Sequence, residues 1–396
     1  MLNKFTMFAV LSLLSLTCVS APADKAMELG YYRALFLNQE YAKLEQAQQA
    51  INTAYSKGEI TWQQFYPAFD WVWFERDLDS PAVEQQIKAI EAIPQKSALT
   101  QLLLGSYYFQ RGSHRRGGKW INKTPQSNIQ AMWADYNIAI DYCKQAIAVQ
   151  PDLIHGYRTL INIYKNDSQD NAQHLIKQQA RKAQQVKADS YVLWHAVLTA
   201  QLPRWGGSYQ AMQSTLLNIK PLFKPDDKNY QMLKGMIAND KADRLIRDKK
   251  YAEASKLLQR YEFTGYPYLL VKQARLHKKD KRYQQCVDYA QQGLQSYPYY
   301  AYGLKQYAYC ADQLERWDDA REAFHQYALL EGNGAWQLFY LGKAYMFLLQ
   351  YEKAYPLLKE SVRLKPDYRQ YTQRYTHYIE TQHPELTHAT LQDLGL

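Results

Sequence analysis

Apolar and small side chains between Leu338 and Pro366 fall into two stripes of helical spacing. Leu338, Leu341, Gly342 and Tyr345 form the first, and Tyr351, Ala354, Leu358 and Ser361 the second. The polar gap between them predicts two antiparallel helices. Pro366 ends the second, because proline lacks an amide N–H and its ring clashes with the preceding helical turn. The arrangement recurs upstream. Cys286, Ala320 and Ala354 are 34 residues apart, and Tyr283, Trp317 and Tyr351 keep that interval three residues earlier. Pro298 and Pro366 lie 68 apart, two periods, and Tyr251 with Ala254 repeats the aromatic–small pair one unit back with a slip of two residues. A fixed period of helix pairs predicts a stack in which each unit buries its apolar face on the next.

This pattern resembles the tetratricopeptide repeat (TPR), whose order of Trp or Leu, Leu-Gly, Tyr, Ala, Phe, Ala and Pro is met at Leu338, Leu341, Gly342, Tyr345, Ala354, Leu358, Ser361 and Pro366. Windows from about 267 and 301 match well, and one from about 235 is degenerate. The resemblance implies an all-α fold: a TPR-like α-solenoid of antiparallel helix pairs with a C-terminal capping helix. Tyr368, Tyr371, Tyr375 and Tyr378 mark one face of that cap.

The N-terminal half is less regular. Leu102, Gly105 and Tyr108 suit a first helix, and Ala139, Cys143, Ala146 and Pro151 a second, with a basic inserted loop from Arg111 to Pro125 between them. Tyr157, Leu160 and Tyr164 open another unit. A further one starts near Tyr191 and turns at Pro203–Ser208, P-R-W-G-G-S. That short motif resembles a secreted bacterial family of helical proteins of uncharacterised function, and implies no activity. The chain thus divides into a leader at 1–21, an N-terminal helical region at 22–97, degenerate pairs at 98–234, TPR-like repeats at 235–366, and a cap with tail at 367–396.

The leader reading rests on Lys4, an apolar run from Phe5 to Thr17 and small residues after it, which together have the form of a secretory signal peptide cleaved after Ser20 or Ala21. The run is too short to span a bilayer, and no later segment is apolar enough. A periplasmic or secreted protein follows. Its formal charge of +10 favours acidic proteins or anionic glycans as partners, since exported chains seldom meet nucleic acid. Of the 4 cysteines, Cys18 falls within the leader. Cys286 and Cys310, on consecutive predicted helices, are a candidate disulfide, and none of the cysteines has metal or redox spacing.

No P-loop, G-x-S-x-G or H-E-x-x-H motif is present, so no catalytic residue, cofactor or metal is expected. The 35 tyrosines mostly occupy helix-packing positions. In TPR proteins the first helix of each unit lines the concave groove. Carrying that register over implies a lining of Tyr268, Arg275, Lys278, Lys279, Tyr302, Lys305, Tyr309, Trp336, Phe339 and Lys343. Such a basic, aromatic groove suits an extended acidic peptide, with an envelope glycan as the alternative. The family's carboxylate clamp is not expected, because Val271, Arg275, Lys305 and Tyr309 stand where it needs Lys and Asn. A second candidate is a basic edge. Arg111, His114, Arg115, Arg116, Lys119 and Trp120 of the insertion would share one side of the stack with Arg204, Trp205, Gly206, Gly207 and Ser208. There a helix start capped by Ser208 would offer N–H groups to an anion, and an enzyme site in this half is the remaining alternative.

Overall fold

Polar caps set where many of the helices begin. Ser97 Oγ accepts from Thr100 N at 3.0 Å, Ser208 Oγ from Ala211 N at 3.0 Å, and Asp227 from the backbone N–H groups of Asn229 and Tyr230, each satisfying an N–H that the helix itself leaves unpaired. The computed structural model describes residues 30–70, 72–73, 78–118, 123–167, 171–331, 334–388 and 390–391. The leader at 1–21 lies outside them, as do Lys119 and Trp120. The described residues form nineteen α-helices and no strand. Four make an N-terminal group: α1 (Tyr31–Leu37), α2 (Tyr41–Lys57), α3 (Trp62–Asp70) and α4 (Pro81–Glu91). Seven pairs follow: α5 (Ala98–Arg116) with α6 (Gln126–Val149), α7 (Ile154–Tyr164) with α8 (Ala172–Val186), α9 (Tyr191–Ala200) with α10 (Tyr209–Ile219), α11 (Lys228–Arg247) with α12 (Tyr251–Arg260), α13 (Pro267–Lys279) with α14 (Tyr283–Ser296), α15 (Ala301–Gln313) with α16 (Trp317–Glu331), and α17 (Ala335–Phe347) with α18 (Tyr351–Leu364). Helix α19 (Arg369–Gln382) caps the stack.

From α5 to α15 each first helix packs on the next first helix, and each second helix lies against the first helix of the following pair. This is a TPR-like α-solenoid. Its 34-residue period shows in the backbone as well: α13, α15 and α17 start 34 residues apart, as do α14, α16 and α18. The turn within these pairs is also repeated. Lys281, Glu315 and Leu349 each sit near φ +60°, and the following N–H reaches back to the carbonyl of His277, Ala311 or Tyr345. That closes a Schellman-type cap with non-glycine residues in the left-handed region. Close approach within a pair requires a glycine at 105, where a Cβ would lie 2.6 Å from Cys143 Sγ.

Three features depart from expectation. Arg111–Arg116 is not loop but the last turns of α5. The helix continues because Arg111 and Arg115 both reach Asp135 on α6, and because Gly112 lets Tyr136 pack where a Cβ would clash at 2.8 Å. The stripe buried by α19 is Thr372, Tyr375 and Ile379, while Tyr371 and Tyr378 are exposed. Helix α11 runs from 228 to 247, through the boundary placed at 235. Cys286 and Cys310 are joined, linking α14 to α15, and Cys143 is a buried free thiol.

The N-terminal group binds the stack at its edge and its inner face. Helix α2 runs past the entry turns of three pairs. Glu45 accepts from Ser97 and Thr100, Asn52 donates to Asp152, and Tyr55 pairs with Ser190 at 3.0 Å. Helix α3 then turns onto the first-helix layer. Trp62 stacks on Tyr191 of α9 and meets Tyr297, just before α15. A single short helix thus bridges α9 and the turn between α14 and α15.

Candidate functional site

On α13, α15 and α17 the predicted groove residues fall into three groups. Arg275, Lys278 and Lys305 lie within electrostatic reach of one another, and no carboxylate among the described residues pairs with any of them. Burial, then the charges of Lys305 and Arg275, push the Lys278 ammonium below its ordinary value. Aromatic rings stand beside these cations: Lys278 lies 5.0 Å from the Tyr309 ring, Lys305 4.7 Å from that of Trp336, and Tyr302 is beside Arg275. Phe339 continues the surface toward Tyr368 and Tyr371.

Two lysines are placed differently from the expectation. Lys343 donates at 2.9 Å to Asp312, which is fully buried, so its charge holds α17 to α15. Lys279 lies 4.3 Å from the Tyr251 ring, in a separate hollow beside α12 with Ser255 and Gln259. A 34-residue register predicts which turn of a helix a residue occupies, but the partners a long side chain reaches are set by the neighbouring pair. Tyr268 turns inward to the cavity described below.

The basic edge is also partitioned. Arg111 bonds both oxygens of Asp135 at 2.6 and 3.2 Å, and Arg115 bonds Asp135 and Asp79. Asp135 is 2% exposed, so these two arginines neutralise a buried carboxylate and are not open to an anion. His114 lies 3.8 Å from Asp79, and Arg204 3.7 Å from Asp240. The α5 and α9 ends do meet: the Arg116 guanidinium is 6.0 Å from the Trp205 ring, and Lys165, ending α7 between them, is 5.4 Å from it. Gly206 adopts φ +80°, and a Cβ on Gly207 would strike Gln201 O at 2.1 Å. The two glycines thus make a tight turn that sets Trp205 against the core.

Between α3, α7 and α9 lies a half-open cavity of about 260 Å³, with Tyr268 and Tyr297 also in its lining. Three helices each contribute a line at spacings of three and four: Trp62, Tyr66 and Asp70; Arg158, Asn162 and Lys165; Tyr191, His195 and Thr199. Arg158 Nη1 donates to both oxygens of Asp70, at 2.7 and 2.9 Å. Lys165 Nζ donates to Asn162 Oδ1 at 2.8 Å. Burial, then the charges of Arg158, Arg204 and Arg116, bring the Lys165 ammonium down to about 7. His195 is held neutral, its value lowered to about 3 by burial and then by Arg158 and Lys165.

Of these, Tyr191 is named from the sequence only as the start of a unit, and Trp62, Tyr66, Asp70, Arg158, Asn162, Lys165, His195 and Tyr297 are not singled out there. Their signal is available as Arg158, Asn162 and Lys165 at i, i+4 and i+7 along α7 and its C-cap. It gained meaning only when α3 closed over it.

No protein-family model matches the chain, and no curated protein does. Solved structures to which it is similar include the crystal structure of the P58(IPK) TPR domain, at 15% identity and a TM-score of 0.30 over 83% of this chain and 99% of that one. The human IFIT1 dimer with PPP-AAAA is similar at 10% identity and 0.32, covering 91% and 86%. The APC/C hetero-tetramer Cut9-Hcn1 is similar at 12% and 0.33, covering 88% and 75%. Likenesses this distant carry no argument, and the TPR-like solenoid rests on the helix pairing and its 34-residue backbone period.

Proposed function

We propose that this chain is a non-catalytic, extracytoplasmic scaffold that holds an acidic segment of a partner protein in the groove of α13, α15 and α17. One observation carries the reading: Arg275, Lys278 and Lys305 gather beside Tyr309 and Trp336 with no carboxylate of the described residues paired to them. Like charges held together raise one another's energy, and an acidic ligand removes that cost while the rings supply rigid apolar area. Export is supported by the leader pattern and by the Cys286–Cys310 disulfide, since disulfides persist in oxidising compartments. Among the described residues no helix is long and apolar enough to cross a membrane.

The test is fluorescence anisotropy of the mature protein with a labelled Glu-rich peptide and a Lys-rich control. Saturable binding of the acidic peptide, weakened by salt and lost in Arg275→Gln/Lys278→Gln/Lys305→Gln, is expected. Equal binding of both peptides overturns the reading. Retention on cell-wall material instead, abolished by Trp336→Ala, would assign the groove to a glycan. Amino-terminal sequencing of the exported protein tests the leader, with a mature start near Ala21 or Pro22 expected and Met1 refuting it.

A further inference from the structure

The cavity between α3, α7 and α9 has unpaired donors on residues of its lining. Trp62 and Tyr191 are 2% and 1% exposed, and among the described residues the Trp62 Nε1–H and the Tyr191 hydroxyl have no hydrogen-bond partner. Buried polar groups left unpaired cost on the order of 1–3 kcal/mol each, so two together in one wall call for an explanation. Lys165 reaches the same space with an amide oxygen as its hydrogen-bond acceptor and no carboxylate of the described residues beside it. Arg158 engages Asp70 through Nη1, and its Nε and Nη2 make no bond among the described residues. The one carboxylate in the lining, Asp70, is therefore already neutralised by Arg158. The lining holds two basic side chains, Arg158 and Lys165, against that single carboxylate.

The remaining walls are aromatic, with the Tyr66 and Tyr297 rings 6.4 Å apart and tilted to each other and Tyr268 beside them. Such rings offer rigid apolar area to a ring-shaped body. A volume of about 260 Å³ accommodates on the order of ten non-hydrogen atoms, taking a water's share of about 30 Å³ as the yardstick. We propose that this cavity binds a small organic acid, one ring carrying a single carboxylate, with Lys165 and the free nitrogens of Arg158 meeting the anion and Trp62 and Tyr191 donating to it. The site is separate from the peptide groove. Only Tyr268, expected in the groove from its register, turns toward the cavity. Whether the ring is aromatic or a sugar is a question of source, since both present a face to stack and a carboxylate to bind.

Isothermal titration of the full mature chain with 4-hydroxybenzoate, with glucuronate and with inorganic phosphate tests the assignment. Saturable binding of at least one ring acid below about 1 mM is expected, and which of the two binds identifies the source. Lys165→Gln should weaken it about tenfold or more. Tyr191→Phe removes a hydroxyl that has no partner among the described residues, so it should weaken binding while leaving the melting temperature unchanged or raised. This variant keeps the test open if Lys165→Gln does not fold. No saturable binding of either ring acid overturns the proposal, as does unaltered affinity in Tyr191→Phe. Inorganic phosphate binding as tightly as the ring acids overturns it too, because the aromatic walls would then contribute nothing. A failure of the Glu-rich peptide to bind bears on the groove alone.

Discussion

His155 makes the stability of this solenoid depend on pH in a direction that its surroundings dictate. The imidazole is 3% exposed and stacks 4.8 Å from the Phe69 ring. Arg158 Nη1 donates to its Nδ1 at 3.3 Å, which fixes the tautomer: Nε2 carries the proton and donates to Ser106 Oγ at 3.0 Å. A second proton would have to enter at Nδ1, facing a guanidinium. Burial lowers the group to about 3 from its ordinary 6.5, with the charge of Asp70 opposing the shift and that of Arg158 adding to it. The unfolded chain binds a proton here below 6.5 and the folded chain does not, so stability falls as pH drops from 6.5 toward 3. Between pH 7 and pH 5 this one residue accounts for a loss of about 2 kcal/mol. His155→Gln can still donate to Ser106 and has no proton to gain. Urea denaturation at pH 7, 6 and 5 should show wild type losing about 2 kcal/mol more than the variant across that range. Superimposable pH dependences would refute the argument, and so would an NMR titration of the His155 ring with a midpoint near 6.5.

Four further outcomes are open to direct measurement. Leu349 sits at φ +58° and is largely exposed, so Leu349→Gly should stabilise the protein by about 1 kcal/mol in denaturant melts; destabilisation would show that the side chain does more than occupy a turn. Gly105→Ala should cost about 1–3 kcal/mol through overlap with Cys143 Sγ, with partial recovery on adding Cys143→Ala; no recovery would place the strain elsewhere. Replacing Cys286 and Cys310 by Ser opens a loop of sequence separation 24 and should cost about 3 kcal/mol, read as a lower melting temperature equal to that of the reduced wild type. Truncation after Pro366 strips α19 from α18, and a fall in melting temperature on the order of 5 °C or more with loss of solubility is expected; an unchanged melt would mean that α19 is not a cap.

The sequence by itself determined the repeat. Apolar spacing, the 34-residue interval and the terminal prolines are local properties of each helix pair, and a pair has one way to bury its stripe. They therefore placed the pairs from α13 to α18, and much of α5 to α10, without reference to the rest of the chain. The cap helix was legible as an element, but its buried face was not: four tyrosines read as a stripe, whereas tyrosine tolerates either environment and Thr372, Tyr375 and Ile379 meet α18 and its neighbours. The insertion from Arg111 to Pro125 reads as loop from its glycines and charges, because nothing local shows that Asp135, two helical turns into α6, is the carboxylate that Arg111 and Arg115 neutralise.

Only the tertiary structure decided which cations are free. Lys305 and Lys343 lie on successive first helices, one helical turn apart in the repeat register, yet one meets an aromatic ring and the other buried Asp312. Pairings of that kind depend on which residue the adjacent repeat presents. The cavity beside α3 lies furthest from the sequence, since it forms where α3 folds back onto α7, α9 and Tyr297 across more than two hundred residues. Its donors are ordinary polar positions on their own helices, and burial by a distant segment is what turned them into a site.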